Sequence, residues 1–402
     1  MAPLKILQLS HKMPYPIHDG GSYSIYNTAL GLLSNAANLK VLAINSPKNW
    51  VDENCFPSEY IKKTRFESVT IDTRLRPVTA FCNLFGKQSY FVERFWSEDY
   101  VDKLTQILKS EEFDIIQLEH SYLCLYLNTI RKYSRAKVIL RPQNVENEVW
   151  RRCQHHYRNP IKKFYLHISC NRLEKFERKI ASEVDGIIAI SAEDARTFAD
   201  YTPNTPVVEV PLGFNFNANP PYNPEKQTDF PVFYHLGSMD WMPNYQGLKW
   251  FIEEVIPFII KEYPQFDFRI AGKKMPAWFY HKQSRNLRVD GEVNDSIKYQ
   301  EDKSIMIVPL LSGGGIRAKI IEGMALGKTI ISTTIGAEGI AYTNRENILI
   351  ADTKEEVARQ ILICRKSPER CKEIGRNAHL LALEYYDCHK TAGKMMAFYE
   401  TF

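Results

Sequence analysis

Residues 305–325 read IMIVPLLSGGGIRAKIIEGMA, a pattern that predicts a buried strand, a glycine bend and a helix in direct succession. Three consecutive glycines leave the backbone N–H groups of the bend unhindered, and the positively polarised start of the helix lies at the same place, so the junction suits a phosphate group. Arg317 and Lys319 add positive charge beside it. Glu322, one turn further along, can accept hydrogen bonds from hydroxyl groups such as those of a ribose. We interpret the bend as a site for a phosphorylated ligand; the alternative is a tight turn flanked by ordinary surface charges.

On both sides of this junction, short apolar runs alternate with helical patterns. Such alternation is typical of βαβ units around a parallel sheet, and no internal repeat interrupts it. The predicted strands are 4–9, 39–44, 114–118, 137–140, 186–190, 207–210, 232–236, 266–271, 287–290, 304–309 and 328–333. The predicted helices are 22–33, 98–110, 172–182, 245–262, 317–325, 353–364 and 369–385.

One segment breaks this alternation. Residues 211–231 contain five prolines and four asparagines without any periodicity, which is typical of an interdomain linker. We therefore predict two doubly wound, Rossmann-like α/β domains in series, over residues 1–210 and 232–384. The last segment, 385–402, is apolar with a helical pattern.

Composition excludes several classes of protein. With 402 residues, 44% hydrophobic and 25% charged, the chain can form two sizeable cores. No apolar run approaches the ~20 residues of a membrane-spanning helix, and the opening MAPLKILQLSHK is too short for a secretory signal, so we expect a cytoplasmic protein. The eight cysteines are scattered, without zinc spacing, which indicates reduced thiols.

Positive charge is concentrated in the first half of the chain. The net charge is +5, and residues 131–179 carry 14 basic against 4 acidic residues, with Phe164, Tyr165 and Phe176 interleaved. This stretch could face phospholipid headgroups, a diphosphate-bearing acceptor or nucleic acid. The alternative is a solvated helix face that contacts nothing.

A dinucleotide site is a second interpretation of the glycine bend. Gly313, Gly315 and Ala318 satisfy G-x-G-x-x-G/A, and Glu338 follows 20 residues after Ala318, as in NAD(P)-dependent oxidoreductases. That fingerprint usually follows the first strand of a domain, whereas this bend follows several strands. We therefore favour a free diphosphate over a nicotinamide cofactor.

The second half of the chain resembles the nucleotide-sugar-binding half of retaining GT-B glycosyltransferases of family 4. The resemblance rests on VFYHLGSMDWMPNYQGLKWFIEEVIP (232–257), FRIAGKK (268–274), NLRVDGEV (286–293) and the stretch from 305 to 340. The segments LRPQNVENEVWRR and DGIIAISAEDARTF are similar to the acceptor half. The resemblance implies a GT-B fold, with two Rossmann-like domains facing a cleft and the last helix crossing back to the first domain.

The same resemblance implies a role for individual residues. Glu322 matches the glutamate that holds the donor ribose, and Gly313, Gly314, Gly315 and Ile316 form the loop along the sugar and diphosphate. The segment Asp290, Gly291, Glu292 and Val293 matches the backbone that meets the nucleobase. Gly237 and Ser238 match the loop under the phosphates, and Gly20 and Gly21 match the glycines that let the first domain approach the donor.

Three positions depart from the family pattern. Gly314 stands eight positions before Glu322, where the family has a second glutamate that binds a sugar hydroxyl. Ser238 and Asn244 replace a basic pair, so phosphate charge must come from Arg317 and Lys319. Gln143 stands where related sequences often have a histidine.

The resemblance implies a retaining, hexosyl-transferring enzyme without a protein nucleophile, in which Arg317, Lys319 and the helix start stabilise the departing diphosphate. The chain has no Asp-x-Asp motif, so no metal and no other cofactor is expected. A protein that binds a nucleotide sugar without turnover is the remaining alternative.

The acceptor side is less specific. Glu119 and His120 follow a predicted strand and His18 flanks the first glycine loop, so these three could bind or orient an acceptor hydroxyl; buried structural roles are the alternative. Trp241 and Trp278 could stack on a base or cap a core. We expect a glycan or lipid-linked acceptor in cell-surface polysaccharide or glycoconjugate synthesis, possible peripheral contact with the inner membrane face, and no nucleic acid partner.

Overall fold

The computed structural model describes residues 3–17, 19–156, 159–218 and 231–402. It divides into two compact units, the first formed by Met1–Gly213 with Cys388–Phe402 and the second by Phe214–Asp387. Each unit is built on one parallel β-sheet with helices packed around it, which confirms the α/β architecture predicted from the alternating pattern.

The first unit contains a seven-stranded sheet in the order β3-β2-β1-β4-β5-β6-β7. Its central strands are buried along nearly their whole length, which explains their near-continuous apolar sequences. The strands are β1 (Lys5–Ser10), β2 (Asn38–Asn45), β3 (Glu67–Thr70), β4 (Ile115–Leu118), β5 (Lys137–Leu140), β6 (Gly186–Ala189) and β7 (Val207–Glu209). The helices are α1 (Gly20–Ser34), α2 (Ser58–Thr64), α3 (Pro77–Asn83), α4 (Tyr90–Glu93), α5 (Glu98–Ser110), α6 (Leu127–Tyr133), α7 (Glu146–His156), α8 (Pro160–Glu183) and α9 (Ala192–Tyr201).

The second unit contains a six-stranded sheet in the order β10-β9-β8-β11-β12-β13. Its strands are β8 (Phe233–Leu236), β9 (Phe268–Ala271), β10 (Leu287–Gly291), β11 (Ile305–Val308), β12 (Thr329–Ser332) and β13 (Leu349–Ile350). The helices are α10 (Met242–Trp250), α11 (Ile256–Ile259), α12 (Ala277–His281), α13 (Ser296–Gln300), α14 (Ala318–Ala325), α15 (Lys354–Lys366) and α16 (Pro368–Tyr385).

The last helix, α17 (Cys388–Tyr399), packs against α1 within the first unit. Gly31 makes this close approach possible, because a Cβ atom on it would lie 2.2 Å from the carbonyl oxygen of Cys388. Ala392, Met395 and Tyr399 join the same apolar cluster as Ile6 in β1. The C-terminal helix is therefore part of the core of the first unit.

Every strand predicted from the sequence is present, with ends that shift by at most two residues. The helix predicted over 245–262 is instead α10, a π-helical turn at Phe251–Val255 and α11, because Pro257 has no N–H to donate into a regular helix. The predicted helix 172–182 is the end of the longer α8, whose start is capped by Asn159. Most of the predicted linker, residues 219–230, lies outside the described residues.

Candidate functional site

The glycine bend in the second unit connects β11 to α14. Gly313 has φ +104° and Gly315 has φ +82°, in the left-handed region that other residues rarely adopt, so the backbone here requires glycine. Helix α14 begins at Ala318 without a side-chain cap on its first N–H groups. The bend therefore presents a positively polarised, uncapped helix end, as an anion site requires.

Arg317 donates hydrogen bonds to the backbone of the glycine bend. Its Nη1 donates to the carbonyl oxygens of Gly314 and Gly315, and its guanidinium carbon lies 4.9 Å from the centre of the Trp241 ring. The side chain is only 5% exposed. From the sequence, Trp241 could either stack on a ligand or cap a core. In the structure its ring packs against the guanidinium group of Arg317.

Lys319 stands in a polar trio that the sequence did not reveal. Its Nζ donates to Oδ1 of Asn244 at 2.7 Å and lies 3.3 Å from Nε2 of His235. Burial, followed by the charge of Arg317, lowers the pKa of Lys319 to about 7. Gly237 covers this trio, because a Cβ on it would lie 2.7 Å from Asn244 Nδ2 and 2.8 Å from Lys319 Nζ.

His235 is a functional candidate that sequence reasoning missed. It is fully buried in β8, and its Nδ1 lies 2.8 Å from the carbonyl oxygen of Ile307. Burial and the charge of Lys319 hold the pKa of His235 well below its usual value, so the ring is neutral. A neutral ring that donates from Nδ1 leaves Nε2 to accept from Lys319. The signal in the sequence was a histidine inside the apolar run VFYHL.

Glu322 is the acidic group of this edge. It is 9% exposed, and its Oε1 accepts a hydrogen bond from Gln300, whose own amide oxygen accepts from the Tyr234 hydroxyl at 2.7 Å. Burial raises the pKa of Glu322 to about 7, while hydrogen bonds from Ser296 and Gln300 oppose the rise. A small change in surroundings can therefore switch this carboxyl between its neutral and charged forms.

The predicted nucleobase segment lies at the end of β10. Asp290 accepts from the Tyr299 hydroxyl at 2.7 Å, and Gly291, with φ +75°, accepts from the N–H of Gly272 at 2.7 Å. Glu292 is exposed and lies 3.7 Å from Lys273, and Val293 is half-buried.

The phosphate loop after β8 lies at the same edge. Ser238 Oγ donates to Asp240 at 2.6 Å, and Asp240 pairs with Lys274 at 3.0 Å. Strands β10, β9, β8 and β11 are neighbours, so their carboxyl ends bring the base segment, the phosphate loop and the glycine bend to one edge of the sheet. The structure thus brings together all the donor-side residues predicted in the second unit.

The first unit places its own predicted residues at the carboxyl edge of its sheet. Gly20 and Gly21 are the first residues of α1, whose N-cap Asp19 accepts from the N–H of Ser22 at 2.9 Å and pairs with Lys12 at 2.9 Å. His18 lies outside the described residues.

Glu119 is fully buried and bonded internally. It accepts from Gln8 at 2.7 Å and from Arg141 and Gln143 at 3.3 Å each. Gln117 donates to it as well. This arrangement suits a group that orients its neighbours.

His120, the neighbour of Glu119, is slightly more exposed to solvent than Glu119. It is 5% exposed, its Nε2 lies 3.3 Å from Glu146, and its ring centre lies 4.3 Å from that of His11. Glu146, which sequence reasoning did not select, keeps a lowered pKa through its contacts with His120 and Tyr122 despite the opposing effect of burial.

Within the described part of the chain, no group of three or more His, Cys, Asp or Glu side chains is arranged to hold a metal ion. Nor does any helix among those residues combine the length and apolarity needed to cross a bilayer.

Part of the second unit matches a known family, and nearly the whole chain is similar in sequence to one bacterial protein. Residues 230–366 match the family model described as Glycosyl transferases group 1. The chain is 25% identical over 397 residues to an uncharacterized 44.6 kDa protein in the cps region of Klebsiella pneumoniae, covering 96% of this chain and 97% of that protein.

Solved structures are similar over the full length. Sucrose-phosphate synthase from Thermosynechococcus elongatus superposes with a TM-score of 0.73 at 12% identity, covering 99% of this chain and 98% of that one. Anabaena HepE in complex with UDP gives 0.66 at 13% identity, covering 99% and 100%. The predicted GT-B fold is therefore confirmed, the family-model match supports glycosyltransferase as the enzyme class, and an NAD(P)-dependent oxidoreductase is not favoured.

Proposed function

We propose that the protein is a retaining glycosyltransferase of family 4 that moves a hexose from a UDP- or GDP-sugar to a glycan or lipid-linked acceptor, without a metal ion. The observation that carries this proposal is the convergence of the glycine bend, Lys319 and Glu322 at one sheet edge of the second unit. It is supported by the match of residues 230–366 to group 1 glycosyltransferases and by the similarity to HepE, which has been solved with UDP.

The proposed mechanism assigns a task to each group. The start of α14 and the protonated Lys319 meet the negative charge that develops on the departing diphosphate, an effect commonly worth about 3 kcal/mol per lost donor. Arg317 adds its positive charge beside the bend and stabilises the conformation of the bend through its hydrogen bonds to the carbonyl oxygens of Gly314 and Gly315. Glu322 accepts hydrogen bonds from the ribose hydroxyls, and the base lies along Asp290–Val293. We propose that these two cationic side chains and the helix end take the place of a divalent ion.

Residues of the first unit would hold the acceptor. His120, supported by Glu146, is the group that we propose to orient the attacking hydroxyl, and Glu119 fixes its neighbours. A role in surface polysaccharide or glycoconjugate synthesis is consistent with a relative encoded in the cps region of Klebsiella pneumoniae.

The test combines binding with turnover. A thermal-shift panel of UDP- and GDP-sugars, free nucleotides and NAD(P) identifies the ligand, and slow hydrolysis of the stabilising nucleotide sugar is then measured with and without chelator. We expect turnover that resists chelator, falls at least about 100-fold in Lys319→Met and Glu322→Ala, and stays unchanged in the exposed control Lys366→Met. NMR of the released or transferred sugar reports retention of configuration.

Three outcomes contradict the proposal. Nucleotide binding without turnover, in the presence of a panel of acceptors, would favour a binding protein. Loss of activity with chelator would contradict the metal-free mechanism. Stabilisation by NAD(P) alone would favour an oxidoreductase.

A further inference from the structure

His11 is a titratable residue of the first unit that has no task in the proposed mechanism. It directly follows β1 and is half-buried. Strands β1 and β4 are hydrogen-bonded neighbours, and the N–H of Glu119, just beyond β4, donates to the carbonyl oxygen of Leu9 at 2.9 Å. Because this bond continues the ladder past the end of β4, His11 lies beside Glu119 and His120, the pair that we assign to the acceptor.

The hydrogen bond that His11 makes decides which of its ring nitrogens carries the hydrogen. Its Nδ1 lies 3.0 Å from the carbonyl oxygen of Glu119. A carbonyl oxygen can only accept, so Nδ1 carries the hydrogen, and a neutral ring then has its lone pair on Nε2. Among the described residues, no group donates to this Nε2 atom, and the atom is open to solvent. His11 therefore presents an unused hydrogen-bond acceptor.

The two ring nitrogens of His120 have the opposite arrangement. The backbone N–H of Tyr122 donates to Nδ1 of His120 at 3.3 Å, so this nitrogen carries no hydrogen in the neutral ring. The hydrogen is then on Nε2, which lies 3.3 Å from Glu146. Glu146 is held in turn by the Tyr122 hydroxyl, which donates to it at 2.8 Å. A neutral His120 can therefore donate to a substrate hydroxyl, but it has no nitrogen left to accept from one.

The surroundings of His11 keep its ring neutral. Burial holds the pKa of His11 well below its usual value, because it disfavours the charged ring. Three neighbouring groups lower this pKa further: His120 after β4, Lys12 in the same loop, and Arg94 after α4. The hydrogen bond to the carbonyl oxygen of Glu119 opposes them without reversing the shift. At neutral pH the lone pair on Nε2 is therefore available.

The rings of His11 and His120 have their centres 4.3 Å apart and offer complementary hydrogen-bonding atoms. We propose that His11 is a catalytic residue whose Nε2 accepts the hydrogen bond of the attacking hydroxyl group, while His120 donates from Nε2 to the oxygen of the same group. The oxygen then keeps one lone pair for the bond to the sugar carbon. This role rests on the proposed function, because it requires a sugar donor to attack.

The test uses water as the attacking group, in the slow hydrolysis of the nucleotide sugar that stabilises the full-length protein. His11→Phe keeps a flat ring against Phe95 and His120 but has no ring nitrogen, so we expect it to lower kcat at least about tenfold. KM should change less than about twofold, because the donor site is in the second unit. His11→Gln, whose amide oxygen can accept, should retain more activity than His11→Phe, and added imidazole should partly restore His11→Ala.

A second measurement needs no turnover. Diethyl pyrocarbonate acylates a histidine nitrogen whose lone pair is accessible, so mass-spectrometric mapping at neutral pH should find His11 modified faster than His120. The exposed His167 of α8 reports that the reagent is active. His167→Phe is the matched control variant and should hydrolyse the nucleotide sugar like the wild type, and thermal melting should show that every variant is folded.

Several results would overturn this role of His11. Hydrolysis at the wild-type rate in folded His11→Phe excludes it, as does modification of His120 before His11. A raised KM with unchanged kcat in His11→Phe would assign the residue to donor binding instead. These three results leave the proposed function intact, whereas wild-type protein that binds a nucleotide sugar without any turnover contradicts the proposed function and this role together.

Discussion

Binding of a nucleoside diphosphate should depend on pH through Lys319. Burial lowers the pKa of this side chain to about 7 in the free protein, and a bound diphosphate would restore it toward its ordinary value of about 10.4. Binding then takes up a proton above pH 7, so affinity should fall as pH rises. The factor 1 + 10^(pH − 7) gives a loss of about fifteenfold between pH 7.0 and 8.5.

The assay is isothermal titration of UDP and GDP at several pH values in that window, in buffers of different ionisation enthalpy. The window avoids the second ionisation of the terminal phosphate, which lies near about pH 6. Lys319→Arg keeps its charge and should bind with little pH dependence, whereas Lys319→Met should bind weakly at every pH. Lys366→Arg, on the exposed end of α15, should behave like the wild type.

A wild-type affinity that changes less than about threefold across this window would refute the reasoning, as would an equal slope in Lys319→Arg. Either result would mean that the diphosphate does not contact the Lys319 ammonium group. The glycine bend would then bind its anion through the backbone and the helix end alone.

Three further predictions concern the two units. Glu322→Gln should stabilise the nucleotide-free protein at pH 8 by up to about 3 kcal/mol and should weaken nucleotide binding. Because the pKa of Glu322 is raised in the folded protein, the wild type loses stability as pH rises through about 7. Denaturant unfolding at pH 5 should therefore show no such gain for the variant. Gly237→Ala should displace Lys319 Nζ and so weaken nucleotide binding about tenfold, with a near-normal melting temperature. An unchanged affinity in titration calorimetry would show that Lys319, Asn244 and His235 can shift without affecting nucleotide binding. Gly31→Ala should lower the free energy of unfolding by about 1–2 kcal/mol, because overpacking against the Cys388 carbonyl outweighs the ~1 kcal/mol gain in helix propensity; increased stability in denaturant melts would contradict this.

Much of the fold and the centre of the donor site could be predicted from local sequence. Eleven strands could be predicted within two residues of their ends, because they are short apolar runs joined by βαβ connections. The edge strands β3, which is only partly buried, and β13, which has two residues, were missed. The glycine bend and Glu322 belong to one continuous stretch, so spacing alone placed them beside each other.

The remaining site features depend on contacts between distant parts of the chain. Lys319 meets Asn244 and His235 only because α14, α10 and β8 pack together, and no local pattern encodes the resulting fall in its pKa. Arg317 was predicted to supply positive charge beside the phosphates. In the structure its guanidinium group donates to the carbonyl oxygens of the bend and lies 4.9 Å from the ring of Trp241, a contact across 76 positions that spacing does not reveal.

The position of α17 also affects the order in which the chain can fold during synthesis. The first unit lacks Ala392, Met395 and Tyr399 of its core until residues 388–402 have been made, after the whole of Phe214–Asp387. At about 5–20 residues per second, the apolar surface of α1 waits for roughly 10 to 35 seconds without its covering helix. The second unit, formed from one continuous segment, needs no residue made after Asp387, whereas the first unit needs the segment that follows it.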